Sequence, residues 1–253
     1  MRGRLRIHGT PIEEFGRRER RVLSGVVDAL SAVATEFGAR DGVTEDDYVT
    51  LLRDPSSGVS GTDLGQRPAS FVEQYLVHPL LESLGFDYVV APRMRFEPFE
   101  PTDADAFCDF RITNASYARG DRPAGPHWDD DGPDPPREYG PEVVGETAPP
   151  NGYTGAKETI RAAYAHPFKQ LDVGIATDGL DWGVYVGVPR AECWEEFSLR
   201  PFALKIADHV YDGSVPDATY AGADDSLLSL LRVLQKPNFE RFLLQRDVDE
   251  VWD

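Results

Sequence analysis

The apolar positions alternate between two periods along the chain, and each change of period predicts a change of element. Leu23, Val26, Val27, Leu30, Val33, Ala34 and Phe37 recur at spacings of three and four, which predicts a helix over 12–38 stopped by Gly38. Thr44 is placed to cap a second, short helix running to Leu52. The stretch 54–68 is polar and Gly-rich and reads as a link, with the main domain beginning after it. Phe71, Tyr75, Leu76, Leu80, Leu81 and Leu84 form the next helical stripe, ended by Gly85. Glu73 stands three residues after Ser70, which fits a capping box, and Pro79 should kink or reset this helix.

Period two follows. FDYVVAPRMRFE predicts a strand with Val89 and Val90 in the core, and 106–112 predicts another with Asp109 on the face opposite Cys108 and Phe110. Residues 114–142 lose all pattern and read as an exposed acidic insertion between two strands. VVGETAPP (143–150) is a short buried strand ending on a carboxylate. A helix over about 155–170 then buries Ile160, Ala163, Tyr164 and Phe168, and 173–177 is a strand. A turn at Asp178-Gly179 leads into a returning strand with Trp182, Val184 and Val186 on one face. The tail predicts a strand near 198–202, a helix near 203–211 and two helical stretches after Asp225. Helix, three strands, helix and two strands make an α/β sandwich on a mixed sheet. It carries an N-terminal helical extension over 1–66, a core over 67–212 and a helical C-terminal segment over 213–253.

Composition changes the picture in one respect. Of 253 residues, 44 are acidic and 26 basic, a net charge of −18, and only Lys157, Lys169, Lys205 and Lys236 are lysines. That balance resembles a protein of a salt-rich cytoplasm, where carboxylates keep a surface hydrated and their mutual repulsion is screened within a few Å. The alternative is an acidic protein that avoids nucleic acid, so charge alone does not decide whether DNA is a partner. No apolar run reaches the length of a membrane span, and MRGRLRIHGT lacks the apolar centre of a signal peptide, so the chain is expected in the cytoplasm and away from membranes.

Several chemistries are excluded or weakened by motif. Cys108 and Cys193 cannot build a disulfide framework or a Cys-rich zinc site, and His8, His78, His127, His166 and His209 show no zinc-binding spacing. No phosphate-binding Gly-Lys-Ser/Thr loop and no Gly-x-Ser-x-Gly elbow is present. The run Asp129-Asp130-Asp131 fits no calcium loop. What remains is a set of acids: Glu73 on a helix, Asp109 on one strand and Glu146 at the end of the next. Two carboxylates from adjacent strands can converge on one hard cation, with the Thr147 carbonyl a natural further ligand. Such an ion activates water and stabilises charge on a phosphodiester. Each acid alone also has a plain role, Glu73 as a helix cap and Asp109 at a sheet edge.

The order FVEQYLVHPLLESLGFDY, CDFRI, VVGETAPPN, AAYAH, VGIATDGLDWGVYVG resembles the PD-(D/E)XK nucleases, in particular the N-terminal nuclease domain of type I restriction enzyme R subunits, over about 68–190. The resemblance implies a restriction-endonuclease-like three-layer sandwich and a Mg2+-dependent (or Mn2+-dependent) DNA endonuclease acting on double-stranded DNA, with separately encoded restriction-modification subunits as further partners. It makes Asp109 and Glu146 the metal ligands and Glu73 an additional acid. Tyr164 matches the tyrosine of a Gln-x-x-x-Tyr element whose glutamine is Ile160 here, and Trp182 matches a structural tryptophan.

The pattern departs at one position. Where Glu-x-Lys is expected the chain reads Glu146-Thr147-Ala148, and alanine can neither orient water nor stabilise charge on phosphate. Three explanations stand: a degenerate site in a module that binds without cutting, a displaced lysine drawn from Lys157 or Lys169, or an alanine introduced to trap an inactive protein. Candidate DNA contacts are Arg17, Arg18, Arg20 and Arg21 on the first helix, with Arg93, Arg95 and Arg111.

Overall fold

A computed structural model describes residues 17–90, 109–115, 143–165, 173–186, 192–214, 230–231 and 233–239. Its helices are α1 (Arg17–Gly38), α2 (Glu45–Arg53), α3 (Gly61–Leu64), α4 (Pro68–Val72), α5 (His78–Leu84), α6 (Tyr153–Ala165) and α7 (Arg200–Tyr211). Its strands are β1 (Tyr88–Val90), β2 (Phe110–Ile112), β3 (Val143–Thr147), β4 (Val173–Thr177), β5 (Asp181–Val186) and β6 (Glu192–Ser198). The six strands form one mixed sheet in chain order. Every neighbouring pair is antiparallel except β3 and β4, which run parallel with α6 between them. This is an α/β fold with helices on both faces.

The two faces have separate cores. Val143, Phe110, Ile175, Trp182 and Val184 point toward α1, α5 and α7, joining one large cluster with Leu23, Leu30, Phe37, Leu80 and Phe202. Val144, Ala148, Ala176 and Tyr185 point the other way, under Ala156, Ile160, Ala163 and Tyr164 of α6. Period-two alternation in β3 thus sends Val144, Glu146 and Ala148 to the α6 face. Helices α1 and α2 bury residues in the same cluster as the sheet, so the boundary expected at residue 66 marks no break in packing. The segment 54–68, expected as a link, contains the short helix α3.

Three local expectations are corrected and one, at Pro79, is made specific. Ser70 does not cap a helix: α4 starts at Pro68 behind Arg67, with no side-chain cap. Proline preset to helical φ at the first position decides that start over the Ser-x-x-Glu pattern. Pro79, expected to kink or reset its helix, stands where the rod resets from a π turn into α5. A π turn over Glu73–Val77 precedes it, with the His78 N–H bonded to the Glu73 carbonyl, and the rod continues into α5. Proline has no N–H for the carbonyl four residues back, and a widened turn absorbs that loss. Val89 and Val90, expected in the core, are 39% and 55% exposed because β1 is an edge strand. The strand expected near 198–202 is β6, ending at Ser198, after which α7 begins. The helices expected over 12–38 and 155–170 are seen as α1 from Arg17 and as α6 to Ala165; 12–16 and 166–170 lie outside the described residues. Of the insertion 114–142, only Asn114 and Ala115 lie inside them.

Gly145 fixes how β2 meets β3. The Phe110 ring lies across it so closely that a methyl group there would stand 1.9 Å from the ring. Gly145→Ala is therefore expected to cost about 1–3 kcal/mol through overpacking, read as a lower midpoint in urea unfolding; an unchanged midpoint would mean that β2 is free to move away.

Candidate functional site

The acids lie at the carboxyl end of the parallel pair β3–β4, where β2 begins. Asp109 stands one residue before β2. Its N–H donates to the Gly145 carbonyl at 2.9 Å, and its Oδ2 accepts the Thr147 N–H at 2.6 Å. The carboxylate thus takes the place of a backbone acceptor beyond the strand end. This ties Asp109 to the chain at Glu146–Thr147 and leaves Oδ1 for another partner. Glu73 is brought in by the rod α4–π turn–α5. Val72 and Leu76 of that rod close on Gly179 in the β4–β5 turn, so the rod crosses the same end of the sheet. The π turn begins at Glu73 itself.

The three groups act on one another through their charges. Burial pushes the Glu146 carboxyl up to about 8, and the charges of Asp109 and then Glu73 add to the rise. The Glu73 carboxyl is raised by burial and then by Asp109. Burial also raises Asp109, against the Thr147 N–H and the Arg67 guanidinium, which favour its anion. Burial first and mutual charge second disfavour the anions here, and a cation or a shared proton relieves both. Glu146 Oε2 is buried with no hydrogen-bond partner among the described residues, as is Thr147 Oγ1.

Among the described residues no three His, Cys, Asp or Glu side chains stand close enough together to enclose a metal ion. A magnesium ion does not require that, since it is commonly held by one or two carboxylates and keeps several waters. The Glu146 oxygen that has no partner among the described residues, with the Asp109 carboxylate, supplies the donors that suit it.

The remaining candidates divide. Ala148 is 6% exposed and packed in the α6 core, and its N–H bonds to the Thr177 carbonyl at 2.8 Å. A methyl group on Gly152 would lie 3.0 Å from the Ala148 Cβ, so the 149–152 turn closes over this side chain. Lys157 faces another cluster: its Nζ lies 2.5 Å from Glu196 Oε1, which also accepts the hydroxyls of Tyr153 at 2.9 Å and Tyr185 at 2.8 Å. These donors hold the Glu196 carboxyl down at about 2 against the effect of burial. Tyr164 donates to the Tyr185 carbonyl at 2.7 Å, and Trp182 is wholly buried with its indole N–H on the Gly179 carbonyl; both serve packing. Arg21 is exposed on α1, and Arg111 is half-buried in the middle of β2. The side chains of Arg17, Arg18 and Arg20, and all of Arg93, Arg95, Lys169 and the Asp129–Asp131 run, lie outside the described residues.

Two features escaped sequence reading. The Arg67 charge favours the anions of Glu73 and Asp109, although Arg67 lies in a segment read as a link. Arg200 is buried and joins distant pieces: its Nε donates to Asp181 at 2.8 Å, one terminal nitrogen to Asp178 at 3.1 Å, and the other to the Leu51 carbonyl at 3.0 Å. Asn151, at φ 64°, adds its amide to the Leu51, Asp54 and Ser57 carbonyls. The turn that leaves β3 is thereby anchored on α2 and the residues after it.

No helix among the described residues is long and apolar enough to cross a membrane. No protein-family model, no curated protein and no solved structure matches the chain.

Proposed function

We propose that this chain is a Mg2+-dependent DNA endonuclease domain of the PD-(D/E)XK kind, acting in restriction or DNA processing beside separately encoded subunits. One observation carries the reading: Asp109, bonded to the Thr147 N–H, and Glu146, 37 positions further on, come to the same end of a mixed sheet, and Glu146 has a buried oxygen with no partner among the described residues. In this reading Asp109 Oδ1, Glu146 Oε2 and the Thr147 carbonyl would hold the ion. The ion would supply an activated water and charge neutralisation at the phosphate. Asp109 is oriented by the Thr147 N–H, and Glu73 is available to order water on the ion.

A second reading, a module of the same fold that binds DNA or a partner without cutting, is favoured by Ala148. Its side chain is part of the core under α6, so the position is filled and is not an empty slot awaiting a lysine. Supercoiled plasmid incubated with the protein and Mg2+ or Mn2+ in concentrated KCl separates the two. The endonuclease reading predicts nicked or linear product that disappears in Asp109→Asn. Intact plasmid, with DNA binding that survives Asp109→Asn and Glu146→Gln, would establish the binding module instead. Ala148→Lys is expected to lower stability, because it forces an ammonium into an apolar cluster.

A further inference from the structure

Lys157 belongs to a cluster whose parts converge on one point. Glu146, Ala176, Gly183 and Glu196 stand opposite one another on β3, β4, β5 and β6. Directly paired residues share a face of the sheet. Glu196 therefore lies on the α6 face at the level of Glu146, three strand spacings or about 14 Å away. Gly183 leaves room in that row: a methyl group there would overlap the Tyr153 hydroxyl. The hydroxyls of Tyr153 and Tyr185 enter this room 2.9 Å apart, and both donate to Glu196 Oε1, at 2.9 and 2.8 Å. The Lys157 ammonium donates to the same oxygen. Both phenolic protons are spent on Glu196, so the contact between the two hydroxyls has no proton of its own. Three donors thus meet at one oxygen position, which any anionic oxygen can fill. Tyr185 is wholly buried and Tyr153 and Lys157 are half-buried, whereas the Glu196 side chain is 42% exposed and comes from the strand at the end of the sheet. The donors are the fixed members of the cluster and the carboxylate is the one placed to leave.

We propose that Tyr153, Tyr185 and Lys157 form a second phosphate site for the DNA backbone, which the Glu196 carboxylate fills until a phosphate oxygen takes its place. This rests on the reading of the chain as DNA-binding, with or without cutting. Exchange of one anionic oxygen for another keeps all three donors paired, so opening the site does not leave a buried hydroxyl without a partner. Arg161, exposed one turn further along α6 and 5.9 Å over the Tyr185 ring, adds a second positive charge on the same side. A DNA strand carries a phosphate about every 3.4 Å of helix axis. A strand held at the acids therefore has phosphates a few nucleotides along that fall at the distance of this cluster.

The test is binding of a fluorescent DNA duplex to the full chain over a series of KCl concentrations. Ca2+ replaces Mg2+ in it, since it occupies an oxygen site without demanding octahedral geometry. Lys157→Met is expected to lower the slope of log affinity against log KCl by about 0.9, one phosphate contact, and to weaken binding about fivefold at about 0.15 M KCl. Lys157→Arg should keep the slope. Glu196→Gln still offers the phenols an acceptor but releases the ammonium. It should tighten binding about two- to fivefold, the strength of a half-exposed ion pair that no longer competes, and the gain should vanish when Lys157→Met is added. A merely structural cluster would lower the melting temperature of these variants and leave the salt slope unchanged. That result overturns the inference, as does a gain in Glu196→Gln that persists without Lys157. If neither the unaltered protein nor Glu196→Gln binds DNA at low salt, the DNA reading itself falls and this inference with it. Circular dichroism of Lys157→Arg and Glu196→Gln, the two conservative variants, guards against loss of fold.

Discussion

Arg200→Ala is expected to lower stability by about 3–5 kcal/mol, the usual cost of leaving one partner of a buried ion pair uncompensated. In a chain of this size that corresponds to a fall of roughly 10 °C or more in the thermal midpoint. Asp178 is wholly buried, and burial raises its carboxyl despite hydrogen bonds from the Leu180 and Asp181 amides and the charge of Arg200. With Arg200 gone, the carboxyl stays buried without its cation, and the link from α7 to the Leu51 carbonyl is lost as well. Differential scanning calorimetry in constant KCl reads the effect. Arg200→Lys should recover only part, since an ammonium cannot serve Asp178, Asp181 and Leu51 in one plane. A midpoint within 2–3 °C of the unaltered protein, less than about 1–1.5 kcal/mol at this size, would mean that the Asp178 turn can open and hydrate.

Glu146→Gln is expected to move stability and activity in opposite directions. The Glu146 carboxyl is raised from 4.5 to about 8 in the fold, so the folded state keeps a proton that the unfolded chain has released. Without metal, stability therefore falls as pH rises from about 4.5 to about 8 and levels off above that. Asp109 and Glu73, also raised by burial, act in the same sense, and the nearby Arg67 opposes them. Glutamine removes the largest of these contributions. At pH 8, after discounting for the half-open site, the metal-free variant should melt roughly 3–6 °C higher, at about 2–4 °C per kcal/mol. Divalent metal should stabilise the unaltered protein by about 2–3 kcal/mol at a hundredfold excess over its dissociation constant and leave the variant nearly unmoved. Under the proposed nuclease reading cleavage should fall at least about 10³-fold in the variant, because the ion would lose a ligand. A variant less stable than the parent at pH 8 without metal would show that Glu146 is relieved by a partner other than an ion.

How much of this was legible in the sequence follows from the range of each interaction. The stripe from Leu23 to Phe37 and the Thr44 cap depend on neighbours a few residues away, and both appear where periodicity and cap chemistry put them; Asp47 completes a capping box with Thr44. Asp109 and Glu146 were legible because each sits at a strand end, where side chains of neighbouring strands meet. Val89 and Val90 misled because an apolar pair signals a strand without saying whether that strand is an edge. Glu195 and Glu196 hid β6, since two adjacent acids break the period-two pattern of a strand whose outer members face solvent. Arg67 and Arg200 carry no local signal at all: their partners lie 6–42 and 19–149 positions away, and only the folded chain brings them together.

The most direct test of the central claim is a crystal structure of the protein grown or soaked with MnCl2 and read by anomalous scattering at the manganese edge. The account predicts one strong peak at the carboxyl end of β3, within about 2.0–2.3 Å of Asp109 and Glu146 oxygens and absent from Glu146→Gln crystals. Manganese bound elsewhere, or no peak at the carboxyl end of β3, would contradict it.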